Sequence, residues 1–192
     1  NQAIRESIPQ MRSAARDNPN AQLLVRALTF SSGARWHVAD PTPASDLTWL
    51  DLEAGGHTDL GAALRLLGAE LTDSAMPERS IPPVLVLVTD GYPTDDFRAS
   101  LQAFLALPWA RRAVRLAIAI GRDANVAVLN AFIANPAIAP LTANNPEALV
   151  RYISWASVTG IRQVSMPLDP GAGHRVAQAP SVPLADSSDD VW

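Results

Sequence analysis

The stretch "PPVLVLVTDGYPTDDF", residues 82–97, decides the fold of this chain. Val84 to Val88 form an unbroken apolar run, the pattern of a parallel strand covered on both faces. The run delivers Asp90 to a glycine turn, and Asp95 and Asp96 follow at once. In open sheets of parallel strands, ligands gather at the carboxyl ends of the strands. Asp90 stands at such an end. It is either an ordinary turn-former or an acid that faces something cationic. Thr94 is expected to cap the next helix, with Asp95 and Asp96 in its first turn, where negative charge suits the helix dipole.

Outward from this stretch, strands and helices alternate. Residues 1–19 carry Ile4, Ile8, Met11 and Ala15 at helical spacing, with Pro9 inside. "AQLLVRALTF" reads as a strand, and "ARWHVAD" as a second, shorter strand at an edge, because Pro41 and Pro43 follow it. A loop and then a helix come next, with Leu60, Ala63, Leu64, Leu67 and Leu71 as its apolar face. After the Val84–Val88 strand the chain gives a helix through "PTDDFRASLQAFLAL", a buried strand "AVRLAIAIG", a helix "NVAVLNAFIAN", a short strand "AIAPLTA" and a last helix "NPEALVRYISWASVTGIRQV". This order predicts an α/β class, a Rossmann-like three-layer fold with a mostly parallel central sheet and helices on both faces. The domain is expected to span 1–164. Residues 165–192, rich in Pro, Ser and Asp, read as a flexible tail or linker.

Composition narrows the function classes. The 192 residues suit one domain, and 48% hydrophobic content is enough for a sizeable core. The net charge of −4 leaves no global basic surface for nucleic acid. All 15 basic residues are arginine, consistent with a GC-rich bacterial gene. The absence of cysteine excludes disulfides, thiolate metal sites and a Cys nucleophile. No apolar run approaches membrane-spanning length, no signal peptide is visible, and a cytoplasmic location is expected. The first residue is Asn1 and not Met, so a longer natural product is expected.

A second loop, "GGHTDLGAAL", also stands out. Gly55 and Gly56 permit a sharp turn that presents Thr58. Its hydroxyl is either a helix N-cap or a neutral oxygen ligand for a hard cation. His57 reads as a loop residue and His37 as a core or edge residue.

Taken together, "GGHTDLGAALRLL" and "VLVLVTDGYPTDD" resemble the von Willebrand factor A (vWA) domain, and more narrowly its bacterial TerY-like branch, named for tellurium resistance. "ALVRYISWASVTGIRQVS" is similar to the closing helix of that branch, and "ALTFSSGARWHVADPTP" to its second and third strands. The resemblance spans about residues 1–165. It implies a metal-ion-dependent adhesion site (MIDAS) in which Thr58 and Asp90 match two of three ligand loops, usually around Mg²⁺. The first loop, Asp-x-Ser-x-Ser after the first strand, has no match; "SSDD" at Ser187–Asp190 departs from it. The resemblance therefore implies a chain that lacks the first strand and its motif, with Mg²⁺ expected only if that upstream segment is present. The implied function is a protein–protein interaction module, not an enzyme: an adaptor in bacterial stress or tellurite-resistance signalling. A Ser/Thr kinase or PP2C-like phosphatase encoded nearby is the implied partner. Its docking face would use Gly56, His57, Thr58, Asp59, Asp90, Tyr92 and Asp95.

An enzyme is the alternative, a Mg²⁺-dependent phosphohydrolase with Asp90 as nucleophile. Haloacid dehalogenase-type enzymes carry Asp-x-Asp and a later lysine, and this chain has neither. A dinucleotide-binding Rossmann enzyme needs Gly-x-Gly-x-x-Gly after a strand, and "GAGH" at Gly171 follows none. No Gly-x-Ser-x-Gly or Ser-His-Asp arrangement appears.

Overall fold

The computed structural model describes residues 1–17, 22–76, 80–121 and 124–164. The expected tail, 165–192, lies outside them. Two β-structures form: an antiparallel pair of β1 (Leu24–Ser31) with β2 (Gly33–Pro43), and a three-stranded parallel sheet in the order β3 (Val84–Thr89), β4 (Val114–Ile120), β5 (Leu141–Ala143). The helices are α1 (Gln2–Arg16), α2 (Leu60–Ala69), α3 (Phe97–Ala106), α4 (Pro108–Arg112), α5 (Val126–Ile133) and α6 (Pro146–Val164).

The apolar alternation in the strands assigns each helix to a face. On one side, Leu60 and Leu64 of α2, Phe97 and Phe104 of α3 and Leu129 and Phe132 of α5 pack with Leu87, Ala117 and Ala119. On the other, Ile8 and Met11 of α1 and Tyr152 and Ile153 of α6 pack with Ile118 and Ala143. This is the expected α/β arrangement of three layers. Pro9 sits within α1 on its exposed side. There the helix loses one backbone bond while its buried stripe, Ala3, Ser7, Ile8 and Met11, stays intact.

Several local expectations are corrected. β2 is longer than β1, not shorter, and runs through Pro41 to Pro43. It can do so because it pairs only with β1, so prolines on its free edge break no ladder. The helix after residue 97 ends at Ala106, and Pro108 starts a separate short helix at its first position, where its missing N–H costs nothing. The largest correction concerns β3. β4 is buried along almost its whole length, but β3 is only half-buried, and Val86 at its middle is 37% exposed. β3 pairs with β4 alone, so it is parallel as expected but stands at an edge of its sheet.

The β1–β2 hairpin nonetheless belongs to the same layers as this sheet. Leu28 and Phe30 of β1 join the cluster of Leu85 and Leu87, while Val25 joins that of Val88. The two edges share both faces, yet no ladder connects β1 to β3 among the described residues.

One buried cation fastens the far side. Arg115 on β4 is 8% exposed. Its guanidinium donates to the carbonyls of Phe132 (2.9 Å) and Ile133 (3.1 Å) at the end of α5, and to that of Ala110 in α4. Burial holds its pKa below the ordinary arginine value. α5 turns off at Ala134 in the left-handed region (φ 48°), and Arg115 satisfies carbonyls that this ending leaves open. Arg115→Met should therefore lower the unfolding free energy by about 2–4 kcal/mol in urea titration, because buried carbonyls lose their donors. A change below about 0.5 kcal/mol would show that water replaces the guanidinium without cost.

Candidate functional site

The carboxyl ends of β1 and β3 meet at one loop. The Asp59 N–H donates to Ser31 O (3.0 Å) at the end of β1. The neighbouring Thr58 exchanges two bonds with the segment after β3: its N–H donates to Thr94 Oγ1 (2.9 Å) and its carbonyl accepts from Thr94 N (2.9 Å). The Asp59 carboxylate accepts from Thr94 Oγ1 (2.7 Å) and from Gly33 N (2.7 Å) in the β1–β2 turn. The end of β1 and the segment that follows β3 thus meet at the same two residues.

Two glycines make this meeting possible. Gly56 has φ +88°, and a Cβ there would stand 2.9 Å from Ser32 Oγ. A Cβ on Gly91 would stand 2.8 Å from the Thr58 hydroxyl. Close approach therefore needs glycine at both positions, and the second places Thr58 beside the Asp90–Gly91 turn. Asp90 itself is exposed and makes no hydrogen bond or ion pair among the described residues. The turn is closed instead by Thr89, which is buried and whose hydroxyl accepts from Gly91 N (3.3 Å).

The acids after the turn have other work than expected. Thr94 does not cap α3; it bridges to Asp59. Asp96 is the N-cap of α3 and accepts from Ala99 N (3.2 Å). Asp95 reaches across to α2, where its two oxygens accept from Gly61 N (2.8 Å) and Ala62 N (2.7 Å). That carboxylate supplies the cap that α2 lacks, since Asp59 at its N-cap position makes no side-chain cap bond. The sequence missed this because the cap lies 34 residues away from the helix it serves. Ser32 was also missed. It lies in the "SSG" turn and accepts from the His57 N–H at 3.4 Å.

The expected docking residues thus fall into two groups. Asp59 and Asp95 are held inside the loop network, and Thr58 is half-buried beside Gly91. His57, Asp90 and Tyr92 project from it, with Tyr92 61% exposed. Gly56 supplies backbone rather than a contact group. His37 lies apart on β2, its ring centroid 4.4 Å from that of Trp49. For a divalent cation the donors on this face amount to one hydroxyl and one free carboxylate. Among the described residues no three His, Asp or Glu side chains converge to hold a metal ion. These residues alone do not fit a complete hard-cation site, which takes about six oxygens, several of them waters. Among the described residues no helix is long and apolar enough to cross a membrane.

The von Willebrand factor type A domain model matches residues 28–153. No curated protein matches the chain. Among solved structures, a von Willebrand factor type A protein from Catenulispora acidiphila is 15% identical, with TM-score 0.56 over 81% of this chain and 38% of that one. Proximal thread matrix protein 1 from the mussel byssus, solved with a zinc-occupied MIDAS motif, is 15% identical, with TM-score 0.54 over 81% and 43%. The ArnB paralog VWA2 from Sulfolobus acidocaldarius is 18% identical, with TM-score 0.54 over 84% and 40%. This chain therefore spans about two fifths of the length of each of these structures.

Two outcomes follow from the loop network. Asp95→Ala should cost about 1–2 kcal/mol in thermal or urea unfolding, as loss of a helix cap does, and Asp96→Ala about 1 kcal/mol. Equal stability of Asp95→Ala and the parent would mean that α2 needs no cap. The bond from Thr94, and then that from Gly33, hold the Asp59 carboxyl below its ordinary pKa. A depressed carboxyl pKa adds stability above its unfolded value, near pH 4. That stability is lost as pH falls through the folded value. Thr94→Val should therefore be less stable than the parent at pH 7, and the gap should narrow below about pH 4. A gap independent of pH would contradict the Thr94–Asp59 bond.

Proposed function

The chain belongs to the von Willebrand factor type A domain family, and from that premise we propose that it is a protein-binding module that docks its partner at the carboxyl ends of β1 and β3. The observation that carries this reading is the division of labour in the loops. One set of polar groups is committed to rigidity, and among the described residues the side chains of His57, Asp90 and Tyr92 are exposed above it and make no hydrogen bond. Preorganised loops bearing a few oriented polar groups favour recognition, because little ordering remains to oppose binding.

We place the chain in the TerY-like branch, as a cytoplasmic adaptor in bacterial stress or tellurite-resistance signalling, with a kinase or PP2C-like phosphatase as partner. Similarity of the closing helix and of the β1–β2 stretch to that branch supports this. The same resemblance supports a family first strand, with its Asp-x-Ser-x-Ser loop, that residues 1–192 do not supply. Thr58 and Asp90 would then be the two ligand positions already in place, and Mg²⁺ would be held only when the third loop joins them. A bound ion would offer an open position to a partner carboxylate. Without it, the free Asp90 favours a partner arginine or lysine.

The test is binding to the proteins encoded nearby. Asp90→Ala, His57→Ala and Thr58→Ala should each weaken the partner at least about tenfold, or about 1.4 kcal/mol, with circular dichroism unchanged. Normal affinity in all three would move the interface elsewhere. Calorimetry of residues 1–192 should show Mg²⁺ binding no tighter than about millimolar, and micromolar binding would contradict the split site. Turnover of an aryl phosphate that vanishes in Asp90→Ala would favour an enzyme instead.

A further inference from the structure

We propose that the groove between α3 and α5 is a docking site for an amphipathic helix of a partner protein, one that lays its apolar stripe into the groove and sets a carboxylate against Arg98. α3 follows β3 and α5 follows β4, and these strands are parallel, so both helices start at the same end of the sheet. Both also pack on the same face of it. Between them runs a groove of about 630 Å³. Phe97 and Leu101, both buried, form its floor with half-buried Leu105 and Val128. Ala127 and Ala131 lie one turn apart on α5 and are exposed, so that rim is low and a guest backbone can come close. None of the loop residues of the docking face lines this groove, so loss of one surface leaves the other in place.

Two observations specify the guest. The first is the nature of the walls. Both are helices, whose backbone N–H and C=O groups bond within the helix itself. They offer a guest side chains but no strand edge. An extended peptide laid there would lose water from its backbone groups and gain no partners for them. A helix brings its own bonds, and such grooves take helices through apolar residues at i, i+3 or i+4, and i+7. From Phe97 to Leu105 the floor runs about 12 Å at 1.5 Å per residue, or about two turns of a guest.

The second observation is charge. Among the described residues Arg98 is the one charged group in the lining, and no acid lines the groove. Arg98 is exposed and makes no hydrogen bond or ion pair among the described residues. It stands in the first turn of α3, where the helix dipole opposes a cation, so it adds little to α3 itself. The neighbouring acid, Asp96, is outside the lining, and its carboxylate accepts from Ala99 N. A guest Asp or Glu would pair with the guanidinium, whose fork matches a carboxylate, and a cationic guest would be repelled.

The experiment titrates residues 1–192 with a hydrocarbon-stapled helix that carries leucines at i, i+4 and i+7 and glutamates at one end. Methyl NMR should show shifts at Leu101, Leu105 and Val128 in a one-to-one complex. The same peptide with lysines in place of the glutamates should bind at least about tenfold more weakly. In Arg98→Glu that order should reverse. Ala131→Gln, at an exposed helical position, should narrow the groove and weaken the glutamate peptide at least about tenfold, with circular dichroism unchanged. Absence of methyl shifts with the glutamate peptide would overturn the proposal. So would equal binding of both peptides with no reversal in Arg98→Glu, which would mean apolar adsorption. Decanoate that shifts the same methyls and binds as tightly as the peptide would assign the groove to a small aliphatic carboxylate. Dimers that form without peptide and dissociate in Ala131→Gln would assign it to a second copy. Either result would also overturn the partner helix.

Discussion

A strand that is apolar on both faces must also be bonded on both edges, and the structure depends on where that requirement is met. For β4 it is met: β3 and β5 bond its two edges, and helices cover both faces. For β3 it is half met. Its sequence is as apolar as that of β4, yet it has a ladder on one edge and an exposed Val86 at its centre. Burial of such a strand removes its unpaired N–H and C=O groups from water, and each one left without a partner opposes folding. The sequence of β3 is thus written for a more central position than it occupies in residues 1–192.

The loop at the carboxyl end takes over part of the missing ladder's role. Thr58, Asp59 and Thr94 join the hairpin to the parallel sheet through five short bonds, and Asp95 anchors α2 to the start of α3. The bonds that keep the two β-structures in register also fix the platform from which His57, Asp90 and Tyr92 project. The far edge of the domain has its own fastening at Arg115, whose donors close the ends of two helices.

The layer architecture was legible in the sequence because period-2 and period-3.6 apolar patterns report directly on which faces are buried. Val114–Ile120 and the α2 stripe were readable in this way, and the two loops were brought together by their common place at the carboxyl ends of parallel strands. Edge pairing was not. Whether β3 has one neighbour or two depends on a segment elsewhere, and its own residues look the same in both cases. The roles of Asp95 and Thr94 were hidden for a similar reason. Local capping rules place a partner within a few residues, whereas these side chains act 33 to 36 residues away. β2 was underestimated because proline argues against a strand only where both edges are bonded.

The central claim is that β3 is a core strand held at an edge. Amide exchange of residues 1–192 alone tests it most directly, residue by residue along β3 and β4. The account predicts that Leu116 to Ala119 are the most protected amides of the two strands. Along Leu85 to Val88, amides bonded to β4 should be slow, and those facing β1 should exchange far faster. Uniform protection of Leu85 to Val88 at the level of β4 would contradict it, because both edges of β3 would then be bonded already.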